Sequence, residues 1–300
     1  MIKNIKIINN PASGLASNNQ KLNNLSLMLL DEGYTITKYN TTKDPMDAYR
    51  EAAQSCDGSY DLIIAAGGDG TVNQVISGII SVGCNIPMLI FSKGTVNDFA
   101  QYLSIDTAPH EIVKMIKENK TILCDVGKIN QQYFVNVVAG GALSSVAHNT
   151  DRHLKNKIGR IAYYLEGIRE FAENKLQTKS IEIESEEFSG VVDSHLFIVS
   201  NSSSIGGFNK LMPTASITDG YLDVLVFQKS PINEIMEIVF GLTSGKHVQH
   251  KNVISFKTKK VSIKNQNPNS PVEIDVDGEH GGNLPVTIEV ISKKIKLLIP

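Results

Sequence analysis

The chain has no tryptophan and only three cysteines, Cys56, Cys84 and Cys124, among 300 residues. These are widely spaced and include no Cys-x-x-Cys pair. Neither a zinc site nor a disulfide framework is implied, and reduced thiols in a cytosolic protein are expected. An excess of positive charge is also missing. Lys and Arg number 29 against 31 Asp and Glu, a net charge of -2, so no global field is available to hold nucleic acid. A local basic face could still meet an anionic membrane surface. No run of about 18 apolar residues occurs, and the opening MIKNIKIINNPASG lacks the apolar core of a signal peptide, so a cytoplasmic location is expected. None of the seven histidines has a partner at metal-ligand spacing.

What is present is apolar material, 41% of residues, enough for a sizeable core and for about two domains. The first 125 or so residues alternate short apolar runs with helical patterns. Strands are expected at Ile5–Ile8, Tyr34–Tyr39, Leu62–Ala66 and Pro87–Phe91, and helices at Asn18–Glu32, Pro45–Ser55, Thr71–Ile80 and Glu111–Glu118. This alternation predicts a parallel sheet covered by helices on both faces. Beyond Cys124 strand-like runs dominate: Tyr133–Val138, Ser180–Ile183, His195–Val199, Leu222–Phe227, Val253–Phe256, Lys260–Ile263, Val272–Val276, Val286–Val290 and Lys294–Ile299. Helical patterns interrupt them near Lys157–Asn174 and Ile232–Thr243. The expected architecture is an α/β domain over residues 1–125 followed by an antiparallel β-sandwich over 126–290. The tail of about residues 291–300 is expected to return to the first domain, and the default ligand site is the cleft between the two.

Three loops at strand ends carry chemistry. The sharpest is Ala66-Gly67-Gly68-Asp69-Gly70-Thr71, followed by Val72, between an apolar strand and a helix. Its glycines allow close backbone approach, and the helix start offers free N–H groups to phosphate. Asp69 would repel a phosphate unless a cation lay between them, which points to Mg²⁺. Asn10-Pro11-Ala12-Ser13-Gly14 follows the first strand and reads either as a turn or as a set of phosphate donors. Thr41 and Thr42 follow the second strand, either on the same rim or as a cap for the next helix. Lys93-Gly94-Thr95-Val96-Asn97-Asp98-Phe99 follows the fourth strand; Lys93 either touches a phosphate or faces solvent. In a parallel sheet these strand ends form one crevice. No Walker A motif and no GxGxxG fingerprint occurs.

The second half adds carboxylates. In Ile274-Asp275-Val276-Asp277-Gly278-Glu279, strand alternation would put Asp275, Asp277 and Glu279 on one face, with Gly278 disturbing the register before Glu279. A positioned carboxylate there could accept a hydroxyl proton, or the string could end a solvent-facing hairpin. Thr218-Asp219-Gly220-Tyr221-Leu222-Asp223 reads on its own as a turn. Residues Asp151–Phe171 form a basic amphipathic pattern that fits either a membrane surface or ordinary packing on the sheet.

Taken in order, Asn10–Gly14, Gly67–Thr71, Gly94–Phe99, Thr218–Asp223 and Asp277–Glu279 resemble the diacylglycerol kinase catalytic domain family, which includes soluble bacterial diacylglycerol kinases and sphingosine kinases. The resemblance implies an ATP-dependent phosphotransferase acting on the hydroxyl of diacylglycerol or a similar lipid, with a nucleotide-binding α/β domain of the NAD kinase and phosphofructokinase type and a C-terminal β-sandwich. It implies ATP contacts at Asn10, Pro11, Ala12, Ser13, Gly14, Thr41, the Ala66–Val72 loop and Thr95. It implies an Asp–water–Mg²⁺ network through Asp69, Asp98 and Asp219, beside Asn97. A structural Mg²⁺ would sit on the Asp219 carboxylate with the Ser216 and Tyr221 carbonyls. Asp277 and Glu279 match the catalytic carboxylates. The partners implied are a lipid alcohol and, transiently, a membrane surface; a homodimer is left open. Many relatives read Pro-x-Gly-Thr where this chain has Ser92-Lys93-Gly94-Thr95. The rival readings are an NAD-kinase-like enzyme acting on a soluble substrate and a non-catalytic nucleotide or lipid sensor.

Overall fold

The computed structural model describes residues 2–94, 97–141, 177–206, 210–242 and 244–300. Strands β1 (Asn4–Asn9), β2 (Thr35–Asn40), β3 (Leu62–Gly67) and β4 (Met88–Ser92) form a parallel sheet in the order β2-β1-β3-β4. β3 and β4 are buried along their whole length, as continuous apolar runs between two helical layers should be. One layer consists of α1 (Ala16–Asp31) and α5 (Pro109–Glu118), whose Leu22, Leu25, Leu29, Ile112 and Ile116 cover Ile5, Ile7 and Phe91. The other consists of α2 (Asp47–Gln54) and α3 (Asp69–Ser81), which bury Ala52, Val75, Ile76 and Ile79 against Ile63 and Ile90. A five-residue helix, α4 (Asp98–Tyr102), follows β4 and had no expectation in the sequence.

The chain then enters an antiparallel assembly. Its strands are β5 (Thr121–Ile129), β6 (Gln132–Phe134), β7 (Val137–Gly141), β8 (Lys179–Ser185), β9 (Ser189–Ser200), β10 (Leu222–Gln228), β11 (Val253–Thr258), β12 (Lys260–Asn265), β13 (Glu273–Val276), β14 (Glu279–Asn283) and β15 (Val286–Leu298). An α-helix, α6 (Ile232–Leu242), and a short 3-10 turn at Lys246–Gln249 lie between β10 and β11. The strands run β14-β13-β7-β9-β8-β12-β15, with β10 and β11 branching from β9. Phe134, Val138, Ile181, Phe197, Leu222 and Ile274 belong to the core they enclose. β15 joins the two halves. It pairs antiparallel with β12 and β5, and at Leu297 it lies parallel to Met88 of β4.

Three expectations are corrected. Val286–Val290 and Lys294–Ile299 are one strand, whose register shifts between Ile291 and Ile295 where Lys293 takes φ 52°. Tyr133–Val138 is not continuous, because the N–H groups of Val135, Asn136 and Val137 turn to the Asp277 carboxylate instead of a neighbouring strand. Asp275, Asp277 and Glu279 do not share a strand face. Asp277 (φ 51°) and Gly278 (φ 88°) form the left-handed turn between β13 and β14, across which Val276 pairs with Glu279. The amphipathic pattern at 151–171 and the helix expected at 157–174 lie outside the described residues.

Candidate active site

The strand-end loops meet at the carboxyl edge of the parallel sheet. Asn10 Nδ2 donates to Thr71 Oγ1 at 3.2 Å, linking the first loop to the start of α3. A Cβ on Gly68 would stand 3.4 Å from the Ser13 hydroxyl, so that loop faces the glycine-rich turn. A Cβ on Gly94 would come within 2.9 Å of the Gly68 Cα, and one on Gly14, where φ is +75°, would overlap the Lys93 carbonyl at 1.8 Å. Glycine is therefore required at 14 and 94 by close backbone approach. Thr41 lies on the same rim, its N–H donating to the Asn9 carbonyl at 2.8 Å. Thr42 belongs to the helix entry: its N–H donates to Asp47 and its hydroxyl accepts from the Asp44 N–H. Thr95 lies outside the described residues.

Asp69 lies within reach of the charges of two further acids, Asp98 and Asp277. Burial and then the Asp98 charge raise the pKa of Asp69, partly offset by the backbone N–H groups of Phe99, Asp98 and Asn97 at the start of α4. Asn97 adopts φ 53° to open that helix. Asp98 accepts from the Ser204 hydroxyl (3.3 Å) and the Gly206 N–H (2.6 Å), which brings the second domain onto α4. Asp277 accepts from Val135, Asn136 and Val137 N–H at 2.8, 3.0 and 2.8 Å. Burial, with a contribution from the Asp69 charge, pushes Asp277 up to about 7 despite those donors. Across the groove, a Cβ on Gly70 would meet Glu279 Oε1 at 3.1 Å. Acids from both halves therefore surround the glycine-rich turn.

Asp219 does not join them. Its Oδ2 is 2.6 Å from Lys257 Nζ and its Oδ1 accepts the Tyr221 N–H at 3.1 Å. The same ammonium donates to the Thr214 carbonyl at 2.7 Å and lies 3.3 Å from Asp223 Oδ2. The Ser216 hydroxyl pairs with that of Thr218. Ser216, Asp219 and Tyr221 thus share one turn, but its cation is Lys257. A divalent ion on Asp219 would have to displace that ammonium, so this donor set does not fit the expected structural Mg²⁺. The groove fits a metal differently. Among the described residues no three His, Cys, Asp or Glu side chains converge closely enough to hold an ion by themselves. Yet burial first, and then a neighbouring carboxylate (Asp98 beside Asp69, Asp69 beside Asp277), raises Asp69 and Asp277, which marks a place short of positive charge. Mg²⁺ typically uses one or two carboxylates and completes its shell with phosphates and water, and these residues suit that mode.

Two residues acquire roles that the sequence did not reveal. Asp125 on β5 is 1% exposed and accepts from Gly220 N–H and Lys293 N–H, each at 2.7 Å, while its own N–H donates to the Ile217 carbonyl at 2.6 Å. It seats the 217–220 turn and the shifted stretch of β15 on β5. The clue available was an acid inside the apolar run Leu123-Cys124-Asp125-Val126. Lys93 is fully buried and faces neither solvent nor an acid among its hydrogen-bond partners. A cavity of about 680 Å³ opens beside β4 and α4, lined by Asn18, Ser92, Asn97, Gln101, Asp106 and Thr107 among others; none of the acids above lines it.

Residues 4–129 match the family model described as the diacylglycerol kinase catalytic domain, and residues 136–299 match the YegS C-terminal NAD kinase beta sandwich-like domain. The chain is 35% identical over 300 residues to a diacylglycerol kinase of Staphylococcus saprophyticus, covering all of this chain and 96% of that one. It is 34% identical to a diacylglycerol kinase of Staphylococcus epidermidis, covering all of this chain and 93% of the relative. Its fold is similar to two crystal structures from Bacillus anthracis described as diacylglycerol kinases. One superposes with a TM-score of 0.83 at 26% identity over 99% of this chain and 95% of that one, the other with 0.79 at 25% over 99% and 97%. An α/β nucleotide-type domain closed by an acid-bearing β-sandwich is the plan of a kinase, a phosphotransferase that draws on ATP. The chain belongs to the diacylglycerol kinase family.

Proposed function

We propose that the protein is an ATP-dependent lipid kinase that phosphorylates the hydroxyl of diacylglycerol or a similar lipid alcohol, giving a phosphatidic-acid-type product. The observation that carries this reading is the approach of the β13–β14 turn to the glycine-rich loop, with Glu279 against Gly70 and Asp277 close enough to Asp69 for their charges to interact. A carboxylate thereby stands over the loops where a γ-phosphate would lie.

The ATP phosphates lie across Ser13, Gly14 and the Ala66–Val72 loop, whose backbone N–H groups and hydroxyls receive them. Asp69 would hold Mg²⁺, which when bound would supply neutralisation of the phosphate charge. Asp277 accepts the proton of the attacking lipid hydroxyl. Three of its lone-pair directions are already taken by backbone N–H groups, which leaves one for the incoming proton and fixes where the hydroxyl must stand. Glu279 holds the substrate side of the groove. Most of the acceleration is alignment and charge neutralisation. No helix among the described residues is long and apolar enough to cross a membrane, so the enzyme is proposed to meet its lipid transiently at the water-facing surface.

The test is transfer of labelled phosphate from ATP to mixed micelles of diacylglycerol, phosphatidylglycerol, a polyprenol or a sphingoid base, with NAD as a soluble acceptor. Labelled product in the lipid phase is expected, most with diacylglycerol. Labelled NADP would replace this reading with the NAD-kinase one. ATP binding without transfer to any acceptor would make the protein a sensor.

A further inference from the structure

Lys93 leaves the end of β4 and runs beneath the Asn10–Gly14 loop. Its Nζ donates to Asn9 Oδ1 at 2.7 Å and to the Asn10 carbonyl at 2.8 Å, and the residue is 0% exposed. Both acceptors are neutral amides. An ammonium withdrawn from water is ordinarily matched by a carboxylate, because desolvation of the charge is costly. The elements around it offer none. β1 contributes Asn9 and Asn10, and β3 contributes the Gly67 carbonyl, which accepts the Lys93 N–H at 2.8 Å. α1 contributes Asn18, whose Nδ2 donates to the Lys93 carbonyl at 3.1 Å. The charged group that acts on it is Lys38 of β2, which repels it. Asp98 spends its carboxylate on the 204–206 turn, and neither it nor Asp69 is a hydrogen-bond partner of the Lys93 ammonium. Burial first, then the Lys38 charge, pulls Lys93 down from the usual lysine value to about 8.

We infer that Lys93 is a positioning residue that supplies the buried counter-charge for the nucleotide's phosphates, acting through the Asn10–Gly14 loop rather than by touching them. This rests on the kinase reading. The loop is the wall between the ammonium and the groove: the Asn10 carbonyl accepts from Lys93, its side chain accepts the Ala12 N–H at 3.0 Å, and its Nδ2 holds Thr71. A polyanion on the outer side of that wall meets an unneutralised cation on the inner side. Nucleotide binding and protonation of Lys93 must then favour each other. In the free protein near pH 8 about half the Lys93 side chains carry no proton, so phosphate binding there draws a proton from solution.

The experiment is isothermal titration of MgATP, without lipid, into an Asp277→Asn protein, in buffers of differing ionisation enthalpy between pH 6.5 and 9.5. The Asp277→Asn background removes turnover and the groove carboxyl that burial raises to about 7. The expected result is uptake of about half a proton per nucleotide at pH 8 and little at pH 6.5. Adding Lys93→Met should abolish the uptake and weaken binding about tenfold at pH 7. Proton uptake that Lys93→Met leaves unchanged overturns the inference, whatever the affinity. Should Lys93→Met not fold, the parent decides: uptake centred near pH 8 supports the inference and its absence overturns it. Failure of the unaltered chain to bind MgATP would refute the kinase reading itself, and this inference with it.

Discussion

Glu279 and Gly70 face each other across the junction of the two halves: Glu279 Oε1 lies 3.1 Å from where a Gly70 Cβ would stand. The contact connects the turn after β13 to the first turn of α3, in a molecule whose β15 ties the β-rich half to the edge of the parallel sheet at Met88 and Leu297. A side chain at residue 70 must push the carboxylate aside by a few tenths of an ångström. Gly70→Ala is therefore expected to lower kcat about tenfold, through displacement of a group by a fraction of an ångström. Steady-state kinetics check this; an unchanged kcat would remove Glu279 from the reacting groove.

Asp277 should set the acid limb of the pH profile. Its carboxyl sits at about 7, raised by burial and then by Asp69, and only the ionised form can take a proton. The ratio kcat/KM is thus expected to rise as pH increases through about 7 and to fall below it, where the group is protonated. Asp277→Asn should cut turnover by about 10²–10⁴-fold while ATP still binds. Asn tolerates the φ of 51° at this turn, so the hairpin should survive the change. A variant with near-native turnover, or a profile without that limb, would reassign the base.

Lys257 should hold its loop without any divalent ion. Its ammonium gathers Thr214, Asp219 and Asp223, and removing it leaves the buried Asp223 without its cation. Lys257→Met is expected to cost about 1–3 kcal/mol at neutral pH. The sign with pH follows from Asp223, whose carboxyl is raised by burial: as pH falls it protonates readily, so the variant should regain part of its stability in acid. Thermal melts across pH test this. Addition of EDTA to the unaltered chain should leave Tm unchanged; a marked fall would return the metal to Asp219.

Asp125 carries the seam between β5, the 217–220 turn and β15. Both carboxylate oxygens accept backbone N–H groups in a place 1% exposed to solvent. Asp125→Ala would strand two buried donors and should destabilise the protein by about 3 kcal/mol, read by chemical denaturation. Asp125→Asn, which keeps one acceptor, should cost less.

The chain order of β1 to β4 and their helices followed from local pattern alone. Leu62–Ala66 and Pro87–Phe91 are apolar on both faces, as a strand between two helical layers requires, and Leu22, Leu25 and Leu29 repeat at helical spacing. The motif loops were equally visible, because glycine and small polar residues at strand ends are a local property. Lys93 was ambiguous between phosphate and solvent, since nothing near it in sequence reveals that Asn9 and Asn10, more than eighty residues earlier, enclose it.

Residue types and their spacing were enough to establish the α/β half and the strand-rich half and to single out candidate acids, since propensity, periodicity and turn formation act over a few residues. Which acids meet was settled by long-range packing: Asp69 with Asp98 and Asp277, Glu279 with Gly70, and Asp219 drawn instead to Lys257. Charges and backbone donors interact through space, and the distances that govern them arise only once β15 and the β13–β14 turn are in place.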